Sequence, residues 1–159
     1  MSLALRPARP EDAALILAFV RELADYEKLL HEVEATEDDI ARDLFGPNPR
    51  VFCDIAEWDG QAAGFALWFY NYSTFRGRHG IYLEDLYVSP AFRGRGIAKA
   101  LMRNLARRCI AEGLGRFEWW VLDWNEPAIR FYRSIGARPM DAWTVQRVTG
   151  EALATLAEG

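Results

Sequence analysis

The chain has 159 residues, 51% of them hydrophobic, which is enough apolar surface for one domain with a proper core. Its net charge of −4 argues against nucleic acid as a partner. The apolar run from Ala13 to Val20 follows two acids, unlike a signal peptide, and is too short to cross a bilayer, so no membrane association is expected.

Residues 3–6 read as a first strand. The spacing of Ile16, Phe19, Val20, Leu23 and Leu30 predicts an amphipathic helix over residues 10–30. Thr36-Glu37-Asp38-Asp39 is a capping-box-like start for a second helix, which ends near Gly46-Pro47. Strands are expected over 51–58 and 61–70, joined by the hairpin dipeptide Asp59-Gly60. Another strand covers 81–88, and the repeat Ile97, Leu101, Leu105, Cys109 gives a helix over 97–112. A strand over 116–122 follows. Asn125 then caps a helix to Ile135, with Pro127 in its first turn and Gly136 ending it. A last strand is expected over 143–148, with a short helical tail. The order β-α-α-β-β-β-α-β-α-β describes an α+β fold with one central mixed β-sheet flanked by helices, in a single domain over 1–159.

Cys53 and Cys109 form no Cys-x-x-Cys, and His31 and His79 are isolated, so reduced thiols, a cytoplasmic location and no metal site are expected. Charge is unevenly placed: residues 1–80 carry 14 acids and 8 bases, residues 81–159 carry 9 acids and 11 bases. An acidic half suits a cationic acceptor and a basic half an anionic cofactor, although a solvated surface of random charge explains the same numbers.

The stretch from Val88 to Lys99 is the most informative. A strand ends at Pro90, Gly94 and Gly96 follow, and a helix begins at Ile97. Glycines at a strand-to-helix turn let a ligand approach the backbone, and the helix adds the positive end of its dipole, a combination that binds phosphate. An NTPase loop needs Gly-x-x-x-x-Gly-Lys-Ser/Thr, which does not occur. A dinucleotide fingerprint needs a small residue where Lys99 stands.

The string that does occur, Arg-x-x-Gly-x-Ala from Arg93 through Gly96 to Ala98, resembles the pyrophosphate loop of the GNAT superfamily of N-acetyltransferases. Three further blocks are similar to its diamine (spermidine/spermine) acetyltransferase branch. They are Glu22-Leu23-Ala24-Asp25-Tyr26-Glu27, Tyr82-Leu83-Glu84-Asp85-Leu86-Tyr87-Val88 and the run from Trp124-Asn125-Glu126-Pro127 to Phe131-Tyr132. The element order also matches the GNAT layout along nearly the full length.

The resemblance implies the GNAT fold, acetyl-coenzyme A as cosubstrate, a homodimer, and direct transfer to a primary amine in a ternary complex. It makes Tyr132 the acid on the departing sulfur. From spacing alone, Tyr132 is equally a core residue on the stripe Ile129, Tyr132, Ile135. Glu84 becomes the base, through water, and a holder of the substrate ammonium. Adjacent strand residues point to opposite faces unless a bulge intervenes, so either Glu84 or Asp85 is a solvent-facing acid. For the cofactor, the resemblance implies Leu86, Tyr87 and Val88 along the pantetheine arm, and Arg93, Gly94, Arg95, Gly96, Ile97, Ala98 and Lys99 at the phosphates. Asn125, Pro127, Ala128 and Tyr132 complete that set. Arg103, Arg107 and Arg108 read as a solvated helix face. For the acceptor it implies Tyr26, Glu27, Glu84, Trp119, Trp120 and Asp141, carboxylates and aromatic faces that suit an alkylammonium. Tyr26 also continues the apolar stripe of the first helix.

The connection between Gly136 and Trp143 is shorter and less acidic than a polyamine enzyme calls for. Alternatives to a diamine are therefore a thialysine- or lysine-like amino acid and an amine-bearing antibiotic. A non-catalytic acyl-coenzyme A-binding module is the rival from another class.

Overall fold

The computed structural model describes residues 2–159. Five strands form one sheet in the order β1-β2-β3-β4-β5, namely β1 (Leu3–Pro7), β2 (Phe52–Trp58), β3 (Gln61–Ser73), β4 (Arg78–Val88) and β5 (Phe117–Trp119). The first three pairings are antiparallel and β4–β5 is parallel, so the sheet is mixed as expected. Asp59 and Gly60 both adopt positive φ, 49° and 81°, the backbone that a two-residue turn between twisted strands requires.

Helices α1 (Ala13–Tyr26) and α2 (Glu37–Phe45) cover one face of the sheet. Strand alternation sends Cys53, Ile55 and Phe65 to that face, where they pack with Ile16, Phe19, Ile40 and Leu44. Phe19 stacks on Phe65 with ring centroids 5.3 Å apart. Helix α3 (Ile97–Glu112) takes the other side through buried Ile97, Leu101, Met102, Leu105 and Cys109. Each of Ile16, Ile55, Phe65, Leu101 and Leu105 is wholly buried, worth roughly 1.5–3 kcal/mol apiece. Arg108 does not lie on a solvated face. It stacks 5.0 Å over Trp68 and donates to Glu112 at 3.0 Å.

The first helix is shorter than its apolar spacing predicts. Residues 10–12 form a 3-10 turn, and Lys28 enters the left-handed region at φ 64°, which stops α1 after Tyr26. Helix α2 starts as expected, with Thr36 Oγ1 accepting from the Asp39 N–H at 3.2 Å and the Asp39 carboxylate accepting from the Thr36 N–H.

The chain divides into two compact units, Met1–Trp120 and Val121–Gly159. The second holds α4 (Glu126–Ser134) and α5 (Gly150–Glu158). Its expected strand over 143–148 is absent, and those residues are irregular. A strand needs a neighbour to bond, and among the described residues this unit contains no other strand. Trp143, Val145 and Val148 are 74%, 56% and 47% exposed. The strand expected over 116–122 is cut to Phe117–Trp119, because its pairing with β4 ends at Leu83↔Trp119, next to a bulge.

Candidate acyl-transfer site

The loop between β4 and α3 has the features of an anion cradle. Gly94 and Gly96 sit at φ 77° and 75°, and a Cβ on either would meet nothing within 4 Å, so their cost to other residues is conformational. Gly96 is the N-cap of α3 and brings no side-chain cap. The first helical bond runs from the Ala100 N–H to the Gly96 carbonyl at 3.0 Å, leaving the N–H groups of Ile97, Ala98 and Lys99 without an intrahelical acceptor. Three bare donors and a helix dipole suit a pyrophosphate. Arg95 stacks over Trp58 at 5.0 Å and Phe92 at 5.5 Å, and Lys99 is exposed.

Strand β4 carries the second part. Its pairing with β5 covers only Ile81 to Leu83, so from Glu84 to Val88 that edge has no strand beside it among the described residues. Such an edge can bond an amide-bearing arm. The register with β3 steps from Trp68↔Leu83 to Leu67↔Asp85, which leaves Glu84 as an extra, unpaired residue. This bulge resets which way the strand faces. Leu83 shares a row with Trp68, on the α3 side where Arg108 lies. Asp85 shares a row with Leu67 and Cys53, and Tyr87 with Phe65, on the α1 side.

The two acids consequently differ. Glu84 is exposed and Asp85 is partly buried. Burial, then the neighbouring carboxylates of Glu84 and Glu27, push the Asp85 carboxyl up to about 7. Glu27, just past the end of α1, is also raised by burial. Burial, then the carboxylates of Glu84, Asp85 and Glu118, hold the Tyr82 phenol above its ordinary range. Trp120 meets Tyr82 edge-on at 5.8 Å and is 58% exposed, and Trp119 is partly buried beside Phe117. Leu86 is partly buried and Tyr87 is buried.

Tyr26 is not in the core. It is 40% exposed, and the Arg93 guanidinium lies 5.5 Å over its ring. Arg93 also donates from Nε to the Val88 carbonyl at 3.1 Å. Tyr87 donates to Glu22 at 3.2 Å, a partner for α1 that spacing did not flag.

In the second unit, Asn125 is buried and its Oδ1 accepts from the Ala128 N–H at 3.4 Å, the cap its position predicts. Pro127 occupies the first turn of α4. Tyr132 is partly buried, its ring 5.5 Å from that of Phe131, and its carbonyl accepts from the Ala137 N–H. Asp141 is exposed in a turn closed by the Trp143 N–H bonding the Met140 carbonyl. Among the described residues, no group of His, Cys, Asp or Glu is arranged to hold a metal ion, and no helix is long and apolar enough to cross a membrane.

Comparison with known proteins gives this geometry a family. The profile of the Acetyltransferase (GNAT) family matches residues 16–137. A thialysine N-epsilon-acetyltransferase of Mus musculus is 37% identical over 96% of each chain. A spermidine/spermine N(1)-acetyltransferase-like protein of Homo sapiens is 33% identical over 96% of this chain and 23% of its own length. Among solved structures, an integron cassette protein from the mobile metagenome of V. cholerae superposes with a TM-score of 0.82 at 28% identity, covering 100% of this chain and 99% of that one. The chain belongs to the GNAT acetyltransferase family, whose reaction is transfer of an acetyl group to an amine.

Proposed function

We propose that the chain is a single-domain, acetyl-coenzyme A-dependent enzyme that acetylates a terminal primary amine of a small molecule carrying a second ammonium group. That class contains diamines and thialysine-like diamino acids. The observation that carries the reading is the set of carboxylates Glu27, Glu84 and Asp85, near enough to one another that the first two raise the third. The name of the mouse relative favours the diamino acid within the class.

The residues fit acetyl-coenzyme A. Gly94 through Lys99 would hold its pyrophosphate on bare N–H groups, with Arg95 and Lys99 adding charge. The open β4 edge from Leu86 to Val88 would take its amide-bearing arm. The family resemblance adds Asn125, Pro127, Ala128 and Tyr132. When bound, acetyl-coenzyme A supplies an activated acyl group.

Each side chain then has a task. Exposed Glu84 meets the incoming ammonium, and its proton leaves through the Glu84–Asp85 pair by way of water. An alkylammonium has a pKa near ~10, so transfer to a carboxyl near 7 costs about 4 kcal/mol, against about 8 for an ordinary aspartate. The family resemblance assigns to the Tyr132 phenol the proton for the departing sulfur. Burial raises both the Cys53 and Cys109 thiols, which disfavours a cysteine acyl carrier and supports direct transfer in a ternary complex. By family resemblance the reading extends to a homodimer, and the two unpaired cysteines extend it to the cytoplasm.

Thiol release from acetyl-coenzyme A tests the reading with 1,5-diaminopentane, pentylamine, thialysine and lysine as acceptors. Acceptors with two ammonium groups should be preferred. Coenzyme A binding with no thiol release from any acceptor would make the protein a non-catalytic acyl-coenzyme A-binding module.

A further inference from the structure

The sequence pattern directs Arg93 toward the phosphates of the cofactor, yet its guanidinium has other partners. Its Nε donates to the Val88 carbonyl at 3.1 Å, which fixes the end of β4. Its Cζ lies 5.5 Å from the centroid of Tyr26 on α1 and 5.8 Å from that of Tyr87 on β4. Tyr87 in turn donates to Glu22, one turn before Tyr26 on the same helix. Arg93 itself begins the glycine loop, so three segments meet on one planar cation. They are the strand edge proposed for the pantetheine arm, the loop proposed for pyrophosphate, and the last turn of α1, which leads into Glu27.

We infer that Arg93 is a positioning residue that couples the donor side of the reaction to the acceptor side. When an anion settles on the N–H groups after Gly94 and Gly96, the loop is ordered. Arg93 carries that order to Tyr26 and the end of α1, where the acceptor's ammonium is recognised. This rests on the acetyltransferase reading for the identity of the two ligands. A guanidinium suits the task because its plane stacks on aromatic rings while its Nε–H donates in the same plane. A lysine has neither property.

The test uses Arg93→Met and Arg93→Lys in the full chain, with calorimetry for coenzyme A and dephospho-coenzyme A and steady-state kinetics for the amines. Both variants should bind coenzyme A within about 2-fold of the parent. Both should raise the amine KM about 10-fold, a typical coupling between sites, with kcat changed less. A phosphate ligand behaves differently: Met would weaken coenzyme A, Lys would preserve it, and the amine KM would stay put. That pattern, or no change in either parameter, overturns the inference. Amide exchange in residues 22–27 provides a readout without turnover. Coenzyme A should slow that exchange in the parent and not in either variant, and an unaltered response in the variants also overturns it. If the parent acetylates no amine but the exchange response follows Arg93, the coupling stands and the substrate reading falls.

Discussion

Replacing Asp85 by Asn should make the protein more stable at neutral pH, and the size of the gain follows from the structure. The folded-state carboxyl titrates at about 7 against an ordinary 3.8, so the folded state holds a proton that the unfolded chain releases between those values. Stability therefore falls as pH rises through that window, by about 1.4 kcal/mol per pH unit, and is flat above it. The whole penalty is about 4 kcal/mol, fully absent below the unfolded pKa and complete above the folded one. Asn keeps the shape and cannot ionise. The unfolding free energy of the variant relative to the parent should rise by about 3 kcal/mol between pH 4.5 and 8. Urea titration followed by tryptophan fluorescence across that range measures it, provided the m-values agree. Asp54, raised by burial, and Asp12, lowered by Arg6, titrate in parent and variant alike and cancel from the difference, which reports Asp85 together with its coupling to Glu84 and Glu27. Glu84→Gln removes one like charge and should shift the window to lower pH. A variant-to-parent difference that stays constant with pH would refute the assignment of the proton to Asp85.

Gly96→Val forces a β-branched residue to φ 75° and should weaken coenzyme A at least 10-fold in a folded protein, and unchanged affinity by calorimetry would remove the loop from cofactor binding. Tyr132→Phe keeps the ring and should lower kcat ~10²-fold or more with coenzyme A affinity and Tm near the parent; if turnover barely moves, water protonates the sulfur. A diamine should exceed a monoamine of equal length by about one to two decades in kcat/KM, the worth of a charge-assisted contact, and equal efficiency refutes cationic recognition. Asp141→Asn should narrow that gap and leave the monoamine rate nearly intact, and an unchanged gap would take Asp141 out of acceptor recognition.

The parts of the fold that were legible in the sequence rest on local chemistry. Asp59-Gly60 fixed a hairpin because only certain residues accept its backbone, and the repeat from Ile97 to Cys109 marked α3 because helical periodicity is internal to the segment. The glycine loop was legible for the same reason. Strand 143–148 failed on the opposite ground. Trp143, Thr144, Val145 and Val148 are strand-prone residue types, but a strand is stable only against a partner, and a partner is not written in the segment that needs it. Tyr26 fitted an apolar stripe and proved 40% exposed, because it is the last residue of α1 and meets the Arg93 guanidinium instead of the core.

The two acids of β4 show what local reading leaves out. Alternation alone places Leu83, Asp85 and Tyr87 on one face. The bulge at Glu84 inserts one residue, sending Asp85 and Tyr87 to the α1 side while Leu83 stays on the α3 side. That single step has three consequences for chemistry. It exposes Glu84 at the point where β5 departs, it puts Asp85 in a partly buried position near Glu27, and it sets Tyr87 against Phe19 and Glu22. An aspartate on a regular strand opposite a solvated neighbour would keep an ordinary pKa and make a poor match for an alkylammonium. Here one extra residue in a strand produces both an exposed carboxylate, which the proposed function assigns to the incoming ammonium, and a carboxyl that titrates near neutrality. The residue types were visible in Glu84-Asp85, but their division of labour depends on a register that only the paired sheet defines.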